Sequence, residues 1–182
     1  MKKAIVILAE GFEEIEAITP IDILRRANID VKVCSLADLE VKGSHGISVK
    51  ADIGFDEIKG DVDAVILPGG SPGARNLSES SEVSGLIQRM ASDGRLVAAI
   101  CASPAVVLFP AGILKGKKAT CYPGTEKVFG KDVEFIEEDV VVDGNVITSR
   151  GAGTAVAFSL EIVAALAGKD KAESLRKEIV AK

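Results

Sequence analysis

Hydrophobic and polar positions along the chain follow two patterns, short apolar runs and longer stretches with helical spacing. Four runs have the length of a strand and are bounded by charged or turn-forming residues: Lys3–Ala9, Asp30–Leu36, Asp63–Leu67 and Leu96–Ile100. A run that is apolar at consecutive positions buries both of its faces, as strands of a parallel sheet do. These segments are therefore predicted to form the centre of a parallel sheet.

Helical spacing begins soon after the first run. The apolar positions predicted to face the core are Ile15, Ile18, Ile21 and Leu24. Pro20 lies inside this pattern, and because it cannot donate a hydrogen bond to the carbonyl of Glu16, we expect a kink there. Further helices are predicted at Ser81–Ser92, from Pro104 to near Gly112, at Thr154–Leu166 and from Lys169 onwards.

The remaining segments complete an alternation of strands and helices. Val41–Phe55 is predicted to be an excursion of short extended segments, and Pro68–Gly73 a turn. Further strands are predicted at Lys118–Tyr122, Val133–Ile136, Val140–Val142 and Val146–Ser149, with Asp143–Asn145 as the hairpin between the last two. This alternation indicates an α/β fold, a doubly wound and mostly parallel sheet with helices on both faces.

Composition narrows the classes of function. The chain has 182 residues, of which 47% are hydrophobic, and we expect a single domain over residues 1–182. A net charge of −5 argues against nucleic acid or an anionic membrane as the main partner. No apolar run approaches the length of a membrane span, and the N-terminus does not resemble a signal peptide. Three cysteines form no disulfide framework, which favours a reducing cytoplasm.

The clearest chemical signal is Cys101, which follows the run Leu96–Ile100 directly and precedes the predicted helix at Pro104. A strand, a sharp turn, a nucleophile and a helix in this order lift a side chain off the end of a sheet. We expect the pKa of this thiol to be lowered, because a helix N-terminus favours the thiolate. The alternative is a buried structural cysteine, which is the commoner role of a free thiol.

Other polar groups follow the remaining strands, and carboxyl ends of parallel strands meet at one edge of the sheet. Gly69 and Gly70 offer backbone N–H groups that, with the N–H of Ala102, could form an oxyanion hole. The acidic cluster at Glu10–Glu16 offers a carboxyl group that could face the thiol, although spacing does not select one glutamate. Arg150 follows the last strand and would lie at the same edge. For Gly69 and Gly70 the alternative interpretation is a tight turn, and for the acidic cluster it is a solvated helix start.

The other reactive residue types carry weaker signals. Cys34 and Cys121 are interpreted as structural, although the position of Cys121 at a strand end could expose it in part, and His45 is interpreted as a surface residue. One histidine and no CxxC motif argue against a metal site. The glycine-rich stretches at Gly69–Gly73 and Gly151–Gly153 could instead cradle a phosphate of a flavin, but no GxGxxG motif supports this. We therefore expect no cofactor.

Five segments together resemble the ThiJ/PfpI superfamily, in the branch of the Parkinson's-disease-linked protein deglycase and bacterial YajL. They are AIVILAEGFEEIEAITPIDILRRA, VILPGG, NLSES, AAICASP and ITSRGAGTA, and they span nearly the whole chain. The resemblance implies a flavodoxin-like fold, a homodimer and a reactive cysteine at Cys101. It also implies that Glu16 is the carboxyl group that interacts with this sulfur, and that Gly70 and Ala102 are the oxyanion donors. Gly69 is a possible supporting donor from its position in the sequence.

The resemblance further implies activity on methylglyoxal and its adducts, as a glutathione-independent glyoxalase or a deglycase. The implied alternative is a non-catalytic sensor of oxidative stress, or a chaperone, in which Cys101 is oxidised. Two positions depart from the superfamily pattern. Tyr122 stands where some members have a histidine, and Ala102 stands where the protease-like branch has one, which disfavours a Cys–His protease. Tyr122 could support proton transfer through its hydroxyl group.

Overall fold

The structure, a computed structural model, describes all residues from Met1 to Lys182. The strands are β1 (Lys3–Leu8), β2 (Asp30–Ser35), β3 (Glu40–Lys42), β4 (Ser48–Lys50), β5 (Ile53–Gly54), β6 (Ala64–Leu67), β7 (Leu96–Ile100), β8 (Lys117–Ala119), β9 (Val133–Phe135), β10 (Val140–Asp143) and β11 (Val146–Ser149). The helices are α1 (Glu14–Arg26), α2 (Ser71–Glu79), α3 (Ser81–Ser92), α4 (Ala155–Ala167) and α5 (Lys169–Glu178).

Seven strands form the central sheet in the order β10-β11-β7-β6-β1-β2-β5. All neighbouring strands are parallel except β10, which pairs antiparallel with β11 through the predicted hairpin. The predicted mostly parallel sheet is confirmed. Strand β1 lies inside the sheet, and the chain continues to β2 on one side of it and later to β6 on the other. A doubly wound sheet has a crevice at such a reversal, at the carboxyl ends of the strands.

Two apolar clusters cover the two faces of the sheet. Alternate residues of β1 contribute to each cluster, Val6 and Leu8 to one and Ile5 and Ile7 to the other. The first cluster contains residues of α1, α4 and α5, and the second contains residues of α2 and α3. This arrangement explains why the central strands are apolar at consecutive positions. None of the helices combines the length and the apolarity needed to cross a bilayer.

Helix α1 differs from its prediction in the face that it buries. Ile21 and Leu24 are buried as expected, but Ile15 and Ile18 are 54% and 42% exposed. Glu16 and Ala17 occupy the buried face of the first turn instead. The prediction was wrong for Ile15 and Ile18 because it assumed that the apolar residues of the first turn define the core face. The helix runs through Pro20 without interruption.

Two helical segments near the carboxyl edge also differ from prediction. Helix α2 begins at Ser71, so the predicted turn is shorter than Pro68–Gly73, and Pro72 lies in the first turn of a helix, where no backbone donor is required. The helix expected after β7 is a π-helical segment of only five residues, Pro104–Leu108, followed by turns. Cys101 is therefore not placed at the start of a long helix.

Candidate active site

Cys101 lies on a sharp turn at the carboxyl end of β7. Its φ angle is 65°, in the left-handed region that residues other than glycine rarely adopt. The turn is held from both sides, because the Cys101 N–H donates to the Ser149 carbonyl at 2.9 Å and the Cys101 carbonyl accepts from the Tyr122 N–H at 2.7 Å. Such strain persists only where the surroundings enforce it, and it often marks a functional site. The side chain is half-buried.

Gly69 borders both the thiol of Cys101 and the carboxyl group of Glu16. A Cβ atom on Gly69 would lie 2.6 Å from Cys101 Cβ and 2.6 Å from Glu16 Oε2, so no side chain fits there. The Gly69 N–H donates to Glu16 Oε2 at 2.9 Å. This donor was predicted to support an oxyanion hole, and the structure uses it instead to orient the carboxyl group.

The loops after β1 and β6 fit against each other at backbone distance. A Cβ atom on Gly70, whose φ is 86°, would overlap the carbonyl oxygen of Gly11, and one on Gly73 would lie 2.7 Å from Phe12 Cα. The Glu13 N–H donates to the Gly69 carbonyl at 3.0 Å and completes the contact. These contacts fix the position of the Gly70 N–H relative to the thiol.

Glu16 is buried, with only 1% of its surface exposed, in the first turn of α1. Burial raises the pKa of Glu16 to about 7, and the charge of Glu13 adds to this, while contacts with Cys101 and the Gly69 N–H act in the opposite direction. The Glu13 carboxylate caps α1 by accepting from the Glu16 N–H at 2.8 Å. A carboxyl group with this pKa can exchange a proton near neutral pH.

The pKa of Cys101 differs from the sequence-based expectation. Burial raises it to about 12, the negative charge of Glu16 adds to the shift, and the N–H groups of Gly70 and Ala102 oppose it. The expected lowering was wrong because the short π-helical segment provides little dipole, whereas a carboxyl group faces the sulfur. Thiol and carboxyl group therefore titrate as a coupled pair, in which Glu16 loses its proton first and its charge then disfavours the thiolate of Cys101.

The remaining predicted site residues lie at different distances from the chemistry. Tyr122 is 51% exposed, with its ring against Gly151 beside the pair of Cys101 and Glu16. The guanidinium of Arg150 instead pairs with Glu137 at 3.1 Å.

The other two cysteines are structural. Cys34 and Cys121 are both fully buried, so the alternative of a partly exposed Cys121 does not hold. Burial raises the pKa of both thiols.

A second buried carboxylate, Glu14, was missed by the sequence analysis. It accepts from the N–H and Nδ1 of His45 at 2.7 and 2.8 Å, and also from Ser44 Oγ and the Ile47 N–H. Burial alone would raise the pKa of Glu14, but these bonds, the one from the His45 side chain above all, lower it to about 2. The pKa of the exposed His45 is raised by the same contact. No local pattern reveals this pair, since some thirty residues separate its members.

Glu13, Glu14 and His45 also place their donor atoms within 4.8 Å of one another, the only such group of potential metal ligands. Both Glu14 oxygens already accept hydrogen bonds. A groove of about 970 Å³ between α1, α4 and the C-terminal residues does not include Cys101. The thiol therefore does not belong to this groove.

The DJ-1/PfpI family profile matches residues 2–165 of this chain. The chain belongs to the DJ-1/PfpI family. It is 42% identical over 182 residues to the protein dj-1beta of Drosophila melanogaster, covering 98% of this chain and 97% of that protein. It is 38% identical over 164 residues to the deglycase PfpI of Pyrococcus furiosus, covering 88% and 97%.

The fold comparison agrees with this assignment. The structure of oxidised Toxoplasma gondii DJ-1 superposes with a TM-score of 0.96 at 36% identity, covering 100% of this chain and 99% of that one. The fold is therefore the flavodoxin-like α/β fold of DJ-1 proteins, as the resemblance implied. Two Arabidopsis thaliana relatives, DJ-1 homologs A and B, are longer, and the chain spans 45% and 41% of their lengths.

Proposed function

We propose that this protein is an enzyme that converts reactive 2-oxoaldehydes such as methylglyoxal, or their early adducts with amino and thiol groups, without glutathione. The observation that carries the proposal is the pair of Cys101 and Glu16, a strained and half-buried thiol against a carboxyl group whose pKa is about 7. The name of the Pyrococcus relative, a deglycase, supports the same substrate class.

The first step uses Glu16 as a general base. At pH 7 and above its carboxylate accepts the thiol proton while Sγ of Cys101 attacks the aldehyde carbon, so a high pKa of the free thiol does not prevent attack. The product is a hemithioacetal. The N–H groups of Gly70 and Ala102 face the sulfur and stabilise negative charge as it moves to the aldehyde oxygen.

The second step is an internal redox rearrangement. Glu16 moves a proton from the former aldehyde carbon to the ketone carbon through an enediol, which leaves a lactoyl thioester on Cys101. Water hydrolyses the thioester, releases lactate and restores the thiol. The sum is methylglyoxal plus water giving lactate, so the reaction requires no external oxidant or reductant.

Lactate release from methylglyoxal without glutathione tests the proposal. Wild-type protein should release many lactates per subunit, and Cys101→Ser should release none. Cys34→Ala is the matched control and should retain activity, because it removes a buried thiol on β2, a strand that two others separate from β7. Loss of activity in the control alone, or turnover that persists in Cys101→Ser, would contradict the assignment of the nucleophile.

A second candidate function is an oxidation sensor, favoured by the structural match to an oxidised DJ-1. Two molecules of hydrogen peroxide would convert the Cys101 thiol to a sulfinic acid and leave two molecules of water. Glu16, Gly70 and Ala102 would then hold the sulfinate oxygens. Mass spectrometry after mild peroxide treatment should detect oxidation of Cys101 before Cys34 or Cys121. Selective oxidation in a protein that releases no lactate would favour the sensor.

The protein is also proposed to act as a homodimer in a reducing compartment such as the cytoplasm. Ile15 and Ile18 leave apolar surface on α1, and Ile47 and Val156 are likewise more than a third exposed. Ile18 and Val156 line the same groove between α1 and α4. Exposed apolar surface of this kind is commonly covered by a partner, and a second copy is the simplest one. Sedimentation should give the mass of a dimer, and Ile18→Lys should shift it to a monomer. The three free cysteines are compatible with a reducing compartment.

A further inference from the structure

We propose that the ring of Tyr122 forms a wall of the Cys101 site and selects 2-oxoaldehydes that carry a flat apolar substituent over methylglyoxal. This inference rests on the proposed function, because it names the substrate class that the same thiol would prefer. The role belongs to the face of the ring, and not to the hydroxyl group. Tyr122 is thus a specificity-determining residue.

The position of the ring is the first observation. A Cβ atom on Gly151 would lie 3.4 Å from Cδ2 and 3.8 Å from Cε2 of Tyr122, and 3.9 Å from Glu16 Oε1. The space beside Gly151 therefore borders both the ring of Tyr122 and the carboxyl group of Glu16, which would move the proton. A substituent on the carbon next to the thiol adduct enters this gap, and the absence of a side chain at Gly151 leaves the gap open.

The ring is also held in place through its backbone. The Tyr122 N–H donates to the Cys101 carbonyl at 2.7 Å, so the residue is tied to the strained turn itself. The Tyr122 carbonyl accepts from the Thr125 N–H at 3.0 Å and from Thr125 Oγ1 at 2.7 Å. A wall whose backbone is fixed before the ligand arrives loses little conformational entropy on binding.

The exposure of Tyr122 is the third observation. It is the only aromatic side chain among the exposed large apolar residues, at 51% exposure, and its hydroxyl group makes no hydrogen bond within the protein. The chain has no tryptophan and no other tyrosine. The ring therefore presents free aromatic surface beside Gly151 and the carboxyl group of Glu16, where a flat group can pack against it.

Steady-state kinetics with phenylglyoxal and methylglyoxal test the wall. Tyr122→Phe keeps the ring, and Tyr122→Leu keeps an apolar side chain of similar size that is not flat. We expect the ratio of kcat/KM for phenylglyoxal over methylglyoxal to stay within about twofold in Tyr122→Phe and to fall about fivefold in Tyr122→Leu. Gly151→Ala, which narrows the gap, should also lower the ratio. Equal loss for both aldehydes, or the same loss in Tyr122→Phe, would overturn the proposal.

A binding measurement separates this proposal from the proposed function. Because the chain has one tyrosine, protein labelled with 3-fluorotyrosine gives a single ¹⁹F signal from the wall. Acetophenone and acetone are the probes, since both lack the aldehyde and cannot add to the thiol. A saturable shift with acetophenone but not with acetone supports the wall, even in a protein without turnover. An unmoved signal, or equal shifts with both ketones, would overturn it.

Discussion

Replacing Glu16 with glutamine tests the electrostatic pairing at the centre of the site. The variant removes the charge that faces Cys101 and keeps an oxygen that can accept from the Gly69 N–H. A unit charge about 4 Å away, at an effective dielectric constant of about 20, changes the energy of a thiolate by about 4 kcal/mol, or about 3 pKa units. Since Cys101 is only half-buried, solvent reduces this, and we expect its pKa to fall from about 12 to about 10.

The assay is the rate of iodoacetamide alkylation at Cys101 as a function of pH, with the labelled peptide identified by mass spectrometry. In Glu16→Gln the alkylation rate should reach its plateau at a lower pH than in the wild type. Lactate release should fall at least about 100-fold, because the general base is lost. Glu13→Gln is the matched control. It removes a neighbouring charge whose side chain caps α1, and it should leave the alkylation profile nearly unchanged.

A pKa of Cys101 that stays the same or rises in Glu16→Gln would refute this reasoning. It would mean that burial alone holds the proton on the sulfur. Faster alkylation accompanied by unimpaired lactate release would remove Glu16 from the proton-transfer steps while leaving the electrostatic pairing intact.

Three further results are expected from stability measurements. The pKa of Glu16 is raised from 4.5 to about 7, so wild-type stability should decrease as pH rises between these values. Urea unfolding at pH 8 should therefore show Glu16→Gln to be more stable than the wild type by about 2 kcal/mol, with no such gain at pH 4. The pKa of Glu14 is lowered to about 2, so its carboxylate should add about 1–2 kcal/mol to the free energy of unfolding, a figure discounted because His45 is exposed. This contribution should be present above pH 4.5 and lost as pH falls towards 2. A Glu14→Gln variant that keeps the full acid sensitivity would contradict this. Gly70 and Gly46 share a φ of 86°, but only Gly70 faces neighbouring backbone. Urea unfolding should therefore show a loss of stability of about 1 kcal/mol in Gly46→Ala and of at least about 3 kcal/mol in Gly70→Ala. Equal losses would show that the φ angle alone matters.

The central strands could be predicted from sequence because burial on both faces leaves a local signature. Strand β7 and helix α3 have the bounds that the apolar pattern predicted, and β11 does as well. The convergence of Cys101, Gly70 and a glutamate at one edge also follows from the topology alone, since parallel strands end on the same side. The resemblance then selected Glu16, whose carboxyl group and the thiol both border Gly69 in the structure.

The parts that could not be predicted depend on contacts between distant segments. Ile15 and Ile18 look like core residues by spacing, but the first turn of α1 turns Glu16 towards the sheet edge instead. The high pKa of Cys101 depends on desolvation and on the charge of Glu16 in helix α1, and a rule based on the helix after β7 contains neither. The pairing of Glu14 with His45 is likewise a tertiary contact.

The close fit between the loops after β1 and β6 limits how this protein can be re-engineered. Neither Gly69 nor Gly70 can gain a side chain without displacing backbone or the reactive pair, and Gly73 is blocked in the same way. A mutagenesis library that randomises these positions would consist mostly of misfolded members. Diversity in substrate range has to come from the periphery, where Tyr122 stands in solvent and Gly151 has space for a small side chain. The positions that tolerate no side chain are thus separate from those that can vary. Selection for a new aldehyde can therefore proceed without changes around Cys101.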